Sequence, residues 1–116
     1  MVELTPGASP KDIEVLMEQA RKAGDLMKAL SHESRLLILC ILVSGEKSVS
    51  ELEDIMNMPQ AAVSQQLARL RFDRLVSTRR EGRMVYYSIA NDEVAQLVEM
   101  IYEFFCKPAQ EKSRKQ

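Results

Sequence analysis

The sequence predicts a mainly α-helical domain of five helices with one small β-hairpin. Two patterns of apolar residues indicate this fold class. Up to Leu75 and again after Asn91 the apolar residues recur at helical spacing, whereas between these points they alternate with polar residues, as in strands. The length of 116 residues, 46% of them apolar, suits a single compact domain, which we place at residues 10–107.

The first helix is predicted to begin at Ser9 and Pro10, because serine caps helices and proline suits the first helical turn. Residues 1–9 are expected to be a disordered lead-in. One face of this helix is apolar and carries Ile13, Leu16, Met17, Ala20, Ala23, Met27 and Leu30. A stripe of this kind needs a surface to pack against.

Ser31 is predicted to end the first helix and to cap a second helix over residues 32–43. Its residues are apolar on nearly all sides, which is typical of a buried central helix. A short third helix is expected to begin at Ser48 or Ser50. Three of its residues are predicted to point inward, namely Leu52, Ile55 and Met56.

A tight turn at Asn57 and Pro59 separates the third helix from a fourth, because asparagine tolerates the left-handed conformation and proline ends one helix and opens the next. The fourth helix is predicted over residues 60–72. Its core face carries Val63, Leu67 and Leu70.

A two-stranded hairpin is predicted next, with its turn at Glu81–Gly82. Its inward residues are Val76, Thr78, Val85, Tyr87 and Ile89. A fifth helix, capped by Asn91 or Asp92, follows and is expected to end at Pro108, so that residues 108–116 form a flexible tail. The apolar stripe of this last helix is Val94, Leu97, Val98, Ile101, Phe104 and Phe105.

Positive charge is concentrated in one segment of the chain. The whole chain has a formal net charge of -1, but residues 60–83 contain six arginines and only two carboxylates. A short helix, a turn, a second helix and a basic hairpin form the layout of a winged helix-turn-helix, in which the second helix enters the major groove. The alternative is an ordinary amphipathic helix followed by a solvated hairpin.

The predicted contacts with double-stranded DNA follow from side-chain chemistry. Glutamine amides can donate and accept together at the edge of adenine, and arginine binds phosphate or guanine. On the fourth helix the candidates are Gln60, Ala61, Ser64, Gln65 and Arg69. On the hairpin they are Arg79, Arg80 and Arg83.

Residues 27–39, 63–71, 75–76 and 83–87 together resemble the ArsR/SmtB family of repressors, and the resemblance extends over residues 25–106. It implies a homodimer formed by the first and last helices, which binds operator DNA and represses transcription. Two positions depart from the family pattern. Pro59 stands where a capping hydroxyl is usual, and Arg74 stands where glycine is usual, so Arg74 is strained if its backbone is left-handed.

Many repressors of this family release DNA when they bind a metal, but this chain lacks the cysteine-rich box of the third helix and the ligands of the last helix. Its only histidine, His32, is expected to be a partly exposed polar residue near a helix start, and no metal or cofactor is predicted. The two cysteines, Cys40 and Cys106, instead resemble those of the dithiol subgroup of the family. That resemblance implies that persulfides or polysulfides link the two thiols and lower the affinity for DNA.

Three alternatives remain for the function: a metal-responsive repressor with other ligands, a general thiol-redox repressor, or a winged helix that binds proteins and not DNA. An enzyme is not predicted, because the sequence offers no nucleophile with a partnered base, no phosphate loop and no paired catalytic carboxylates. No apolar run is long enough to span a membrane and the start lacks a secretory signal, so the cytoplasm is the expected location.

Overall fold

The computed structural model describes residues 5–114 and confirms the mainly helical fold with a small hairpin. The helices are α1 (Pro10–Leu30), α2 (Glu33–Val43), α3 (Val49–Met56), α4 (Gln60–Phe72) and α5 (Asp92–Ile101). The strands are β1 (Lys47–Ser48), β2 (Val76–Glu81) and β3 (Met84–Ile89). A π-helical turn, Tyr102–Cys106, follows α5 and leads into α6 (Lys107–Arg114). Residues 1–4 of the predicted lead-in lie outside the described residues.

Three predicted helix starts are confirmed by side-chain caps. The Ser9 hydroxyl accepts a hydrogen bond from the backbone amide of Asp12 in α1, with an N–O distance of 3.2 Å. Ser48 forms a capping box at α3, since its side chain accepts the Glu51 amide while the Glu51 carboxylate accepts the Ser48 amide. Asn91 accepts the Val94 amide of α5 at 2.9 Å. Local sequence alone determines these ends.

The prediction that Ser31 caps α2 is wrong. Ser31 ends α1 instead, because its hydroxyl donates to the Lys28 carbonyl at 2.7 Å. His32 takes the capping position of α2 without a side-chain hydrogen bond to the helix.

The sheet has three strands, whereas the sequence predicts two. β3 lies in the centre of the order β1-β3-β2, and all pairings are antiparallel. β1 escapes prediction because it has only two residues, which pair with Tyr86 and Tyr87. The hairpin turn falls at Gly82 and Arg83, one residue later than predicted, with Gly82 at φ 61° in the first central position.

The core forms where the C-terminal end of α1, the helices α2 to α5 and the base of the hairpin meet. It consists of Ala29, Leu30, Ile38, Leu39, Leu42, Leu52, Val63, Leu67, Leu70, Leu75, Val76, Val94 and Val98. Ile55, which is predicted to face inward, is 54% exposed in the single chain. Phe104 and Phe105, at the end of the predicted apolar stripe of the last helix, are 69% and 72% exposed. Within residues 5–114, no helix combines the length and the apolar character needed to cross a membrane.

The prediction of an unfolded tail after Pro108 is wrong for the described part, since α6 continues the helix to Arg114. The π-helical turn explains why the proline is tolerated. The Lys107 amide bonds to the Tyr102 carbonyl, five residues back, so the helix widens just before Pro108. Proline then stands at the second position of a new helical segment, where its missing N–H costs little.

Arg74 has the left-handed backbone anticipated at this departure from the family pattern, with φ 61°. It closes α4, because its amide bonds to the Arg71 carbonyl at 3.0 Å and the next amide, of Leu75, bonds to the Leu70 carbonyl at 2.9 Å. These two bonds are a Schellman motif, whose left-handed position normally holds glycine. Arg74 therefore carries backbone strain. Pro59, the other departure, caps α4 without a side-chain bond.

Replacing Arg74 with Gly is expected to raise the free energy of unfolding by about 1 kcal/mol. A left-handed residue with a side chain costs about 1–3 kcal/mol, and the greater freedom of glycine in the unfolded chain cancels part of that gain. Arg71→Gly is the matched control, since it removes the same side chain from regular helix and should lower stability by about 1 kcal/mol. Urea unfolding at one protein concentration compares them. An R74G variant no more stable than the wild type would contradict the strain.

Candidate functional site

Helix α4 presents the predicted DNA-reading residues away from the core. Val63, Leu67 and Leu70 are completely buried on one face. Of the residues predicted to contact bases or phosphates, Ser64 is half-buried beside that face, and four others are exposed: Gln60, Ala61, Gln65 and Arg69. The core packing of α4 therefore fixes a polar surface that can enter a groove.

Arg69 is held at the C-terminal end of α4. Its Nε donates to Asp73 Oδ2 at 3.2 Å, and its guanidinium lies 5.8 Å from the ring centre of Phe72. Asp73 Oδ2 also lies 3.8 Å from Arg35 Nη1. Because Arg69 is largely exposed, its ion pair contributes little to stability, and a phosphate can replace the carboxylate.

The hairpin, which we call the wing (β2, β3 and their turn), carries the other three predicted arginines. Arg80 and Arg83 are exposed and have no carboxylate partner within residues 5–114. Arg79 differs from both. Its Nη2 lies 2.5 Å from Glu46 Oε1 and its Nη1 lies 2.8 Å from Glu81 Oε2. The wing therefore combines two unpaired cations with one that is already neutralised.

The contacts of Arg79 alter the ionisation of both partners in this pair. Hydrogen bonding to Arg79 holds the pKa of the Glu46 carboxyl below its usual range. The pKa of Arg79 is raised, first by its hydrogen bond to Glu46 and then by that to Glu81. Glu46 and Arg79 therefore both stay ionised at neutral pH.

The two cysteines line one cavity between α2 and the end of the last helix. The cavity has a volume of about 650 Å³. Both thiols are free and half-buried. Its lining is mostly apolar and consists of Glu33, Leu36, Leu37, Cys40, Ile101, Phe105 and Cys106. The structure thus brings together two thiols that are 66 positions apart in the sequence.

The π-helical turn determines which residue faces α2. Val94 and Val98 are buried, and the regular helical period would next bring Ile101 and Phe105 to the same face. The turn inserts one extra residue, so that Cys106 follows at the position that Phe105 would otherwise hold. Phe105 is accordingly 72% exposed, whereas Cys106 is half-buried. The sequence carries no signal for this turn.

The pKa of the Cys40 thiol is raised above its ordinary value. The largest cause is burial, followed by repulsion from the Cys106 sulfur and by a hydrogen bond to it. Cys40 therefore remains protonated at neutral pH and is a poor nucleophile in the free protein.

We expect the Cys106→Ala variant to react faster at Cys40 with iodoacetamide near neutral pH. Removing the Cys106 sulfur removes two of the three causes of the raised pKa, so the midpoint of the pH–rate profile should fall. It should stay above that of a free cysteine, because burial remains. Mass spectrometry of the Cys40 peptide measures the profile in the wild type and the variant. Identical midpoints would show that the two thiols do not interact.

A metal centre has little support from the described part of the chain. Among residues 5–114 there is no group of three or more histidine, cysteine, aspartate or glutamate side chains that could hold a metal ion. His32 lines a separate cleft beside Arg35, Gln65 and Arg69, with two arginines that would repel a cation.

The chain is similar to known bacterial transcriptional regulators. A family model described as bacterial regulatory protein, arsR family, matches residues 32–78, from α2 into β2. The Biofilm growth-associated repressor of Agrobacterium fabrum is 40% identical over 113 residues, which cover 93% of this chain and 97% of that protein. The chain belongs to the ArsR family.

Other ArsR-family proteins are similar over most of their length. The Transcriptional activator HlyU of Vibrio cholerae is 38% identical over 102 residues, covering 88% of this chain and 94% of that protein. The crystal structure of HlyU from Vibrio vulnificus superposes with a TM-score of 0.78 at 39% identity, covering 82% of this chain and 99% of that one. The chain is therefore a DNA-binding transcriptional regulator with a winged helix, and the prediction that it is not an enzyme is confirmed.

Two contributors to this site escape prediction from the sequence. Glu46 lies outside the basic segment, 33 residues before its partner Arg79. The π-helical turn has no recognisable sequence pattern. The contact of Glu46 with Arg79 joins distant parts of the chain, and the π-helical turn depends on how the whole last helix packs.

Proposed function

We propose that this ArsR-family protein is a homodimeric repressor that releases operator DNA when reactive sulfur species link Cys40 and Cys106. The observation that carries the proposal is the single cavity that both thiols line. In this proposal α4 reads bases in the major groove and the wing supplies arginines to the backbone. The protein acts in the cytoplasm, where the operator is accessible.

The shape of the single chain supports a homodimer. Its radius of gyration is 17.7 Å, whereas a compact domain of this length has about 13 Å. Its accessible surface is 8853 Å², whereas about 6400 Å² is usual for this mass. The excess is large enough for a stable interface.

Apolar side chains form much of this excess surface. On α1 the predicted stripe is exposed, with Leu16 at 48%, Met17 at 66% and Met27 at 66%. At the other end of the chain Phe104 is 69% exposed. A second copy of the chain that packs against α1 and the last helix would cover these residues. The two copies of α4 would then be held at a fixed separation, as a two-fold operator requires.

The proposed chemistry needs only an organic persulfide, RSSH. The Cys106 thiolate attacks the outer sulfur, which forms a Cys106 persulfide and releases RS⁻. Cys40 gives its proton to RS⁻, and the resulting thiolate attacks the inner sulfur of the persulfide. A disulfide forms and HS⁻ leaves. The two thiols are oxidised, and the transferred sulfur is reduced to hydrosulfide.

A longer bridge arises when a second RSSH first converts Cys40 to its own persulfide. The terminal sulfur of Cys40 then attacks the inner sulfur of the Cys106 persulfide and expels HS⁻. The product is a trisulfide, which spans a wider gap than a disulfide and so requires less movement of the two helices. Peroxide supplies no sulfur and can give only the direct disulfide, with water as the other product.

The link would change the position of the last helix relative to α2. Cys106 ends the π-helical turn, and α2 contributes Ile38 and Leu39 to the core against which α4 packs. In the proposed dimer the last helix also lies at the interface. A shift of the last helix relative to α2 therefore changes the separation of the two α4 helices in the dimer and lowers the affinity for the operator.

The test measures DNA affinity and intact mass together. Reduced wild type, Cys40→Ser and Cys106→Ser are each treated with an organic persulfide, and the DNA affinity is measured by fluorescence anisotropy at one salt concentration. We expect the wild type to lose at least tenfold in affinity, which corresponds to a coupling free energy of at least about 1.4 kcal/mol. Its intact mass should show an internal bridge, and dithiothreitol should restore binding.

Neither single variant should lose DNA affinity, because one thiol can gain sulfur but cannot form the bridge. Release of DNA by Cys40→Ser or Cys106→Ser on persulfide treatment would contradict the dithiol mechanism. Release by peroxide as readily as by persulfide would indicate a general thiol-redox repressor. Zinc-dependent release from the double cysteine variant would indicate a metal-responsive one.

A further inference from the structure

The wing is tied to the loop between α2 and β1 by one side chain of the basic segment. Arg79 Nε donates to Glu46 Oε2 at 3.2 Å and Arg79 Nη2 donates to Glu46 Oε1 at 2.5 Å. A third nitrogen, Nη1, donates to Glu81 Oε2 at 2.8 Å. The guanidinium also lies 4.7 Å from the ring centre of Tyr86. All three guanidinium nitrogens of Arg79 thus have carboxylate partners, and the guanidinium also covers one face of the Tyr86 ring.

Arg79 stands where the sheet changes from three strands to two. Arg79 pairs with Tyr86 of β3, and Ser48 of β1 pairs with the same Tyr86 from the other side. Beyond this point the wing consists only of β2 and β3. A two-stranded ribbon is marginally stable by itself, so its direction depends on what holds its base.

We propose that Arg79 is a positioning residue that holds the base of the wing to Glu46, and that Arg80 and Arg83 make the phosphate contacts of the wing. The inference rests on the proposal that the wing contacts DNA. It reassigns one of the three wing arginines and adds Glu46 as a residue on which DNA affinity depends.

Electrostatics favours this division of roles. Arg79 lies between two carboxylates, so the cluster of Arg79, Glu46 and Glu81 carries a net negative charge that disfavours phosphate. A phosphate would also have to replace a bidentate carboxylate, which matches the guanidinium fork well. Arg80 and Arg83 face neither obstacle, since both are exposed and lack a carboxylate partner in the described chain.

The salt dependence of DNA binding separates a phosphate contact from a positioning residue. Each phosphate contact that is lost lowers the slope of log K against log salt by about 0.9. In the proposed homodimer each substitution removes one contact per protomer, so we expect Arg80→Gln and Arg83→Gln each to lower the slope by about 1.8. Arg79→Gln should weaken binding by about fivefold and leave the slope unchanged.

A double-mutant cycle gives the second readout. Glu46→Gln should also weaken binding, although it removes a negative charge from a DNA-binding surface. Arg79→Gln in the Glu46→Gln background should then cost little more, because the pair is already broken. Glu81→Gln is the matched control: it removes the same charge from the wing but leaves both bonds to Glu46, and it should not weaken binding. Arg79→Lys should not restore the DNA affinity of the wild type. Lysine keeps the positive charge but lacks the planar guanidinium that binds both carboxylate oxygens of Glu46.

The inference is overturned if Arg79→Gln lowers the salt slope as Arg80→Gln does, or if Glu46→Gln strengthens binding by freeing Arg79 for phosphate. Amide hydrogen exchange of the wing in the free dimer decides the point without DNA. Amide exchange in the two-stranded part of the wing, between Arg79 and Tyr86, should become faster in Arg79→Gln and Glu46→Gln. It should stay unchanged in Arg80→Gln. If Arg80→Gln and Arg83→Gln leave DNA binding unchanged, the wing does not contact DNA, and exchange alone still tests the role of Arg79.

Discussion

The Leu16→Glu variant is expected to be monomeric and to bind operator DNA at least a hundredfold more weakly than the wild type. Leu16 lies on the exposed apolar stripe of α1, and a carboxylate there would be buried without a partner in the proposed dimer. A monomer engages one half-site at a time and so loses the gain of about 10²–10⁴ that comes from linking two binding events. Sedimentation velocity and DNA titration measure the two effects.

Val15→Glu is the control for this variant. Val15 is the neighbouring residue of α1, is also apolar and is 57% exposed, but it lies off the predicted stripe. The same charge is therefore added to the same helix, on a face that the proposed interface does not use. We expect this variant to remain dimeric with unchanged DNA affinity. A dimeric Leu16→Glu protein would exclude α1 from the interface.

The Leu67→Ala variant is expected to lose about 3 kcal/mol of stability, a large part of the 5–15 kcal/mol usual for a domain. Leu67 is completely buried on the inner face of α4, in the core that also contains Leu52 and Leu70. The loss combines the burial free energy of the three carbons that are removed with the cost of the cavity left behind. Because the same helix carries the predicted DNA-reading residues, DNA binding should also fail at lower temperatures than in the wild type.

Ile55→Ala is the matched control for the core variant, since Ile55 lies on α3 but is 54% exposed. It should change stability by less than about 1 kcal/mol. Thermal and urea unfolding of both variants are compared at one protein concentration, because dimer formation makes the midpoint depend on concentration. Equal losses in the two variants would show that Ile55 is buried in solution, in an interface between chains that the sequence does not predict.

The fold and the surface of α4 are predictable because their signals are local. Ser48 with Glu51 defines the start of α3, and Asn57 with Pro59 separates it from α4. The left-handed Arg74 is different, because it is anticipated only from the resemblance to a family that usually has glycine there. Caps and breakers act within three or four residues, so a single sequence contains all the information they need.

The missed features depend on longer distances. The two residues of β1 form a strand only because β3 lies beside them, and Glu46 meets Arg79 only in the folded chain. The exposure of Phe104 and Phe105 has another origin. Their apolar spacing predicts burial, but the π-helical turn rotates the residues that follow Ile101 away from the regular period.

The π-helical turn also affects how thiols at this position can arise or disappear during evolution. One residue more or fewer between Ile101 and Pro108 rotates everything after it by about 100° around the helix axis. A single-codon insertion or deletion therefore exchanges Cys106 for a neighbouring residue as the side chain that faces Cys40, with no substitution in either helix. Cysteines that are equivalent in space need not align by residue count, so alignments without gaps in this turn can pair the wrong positions.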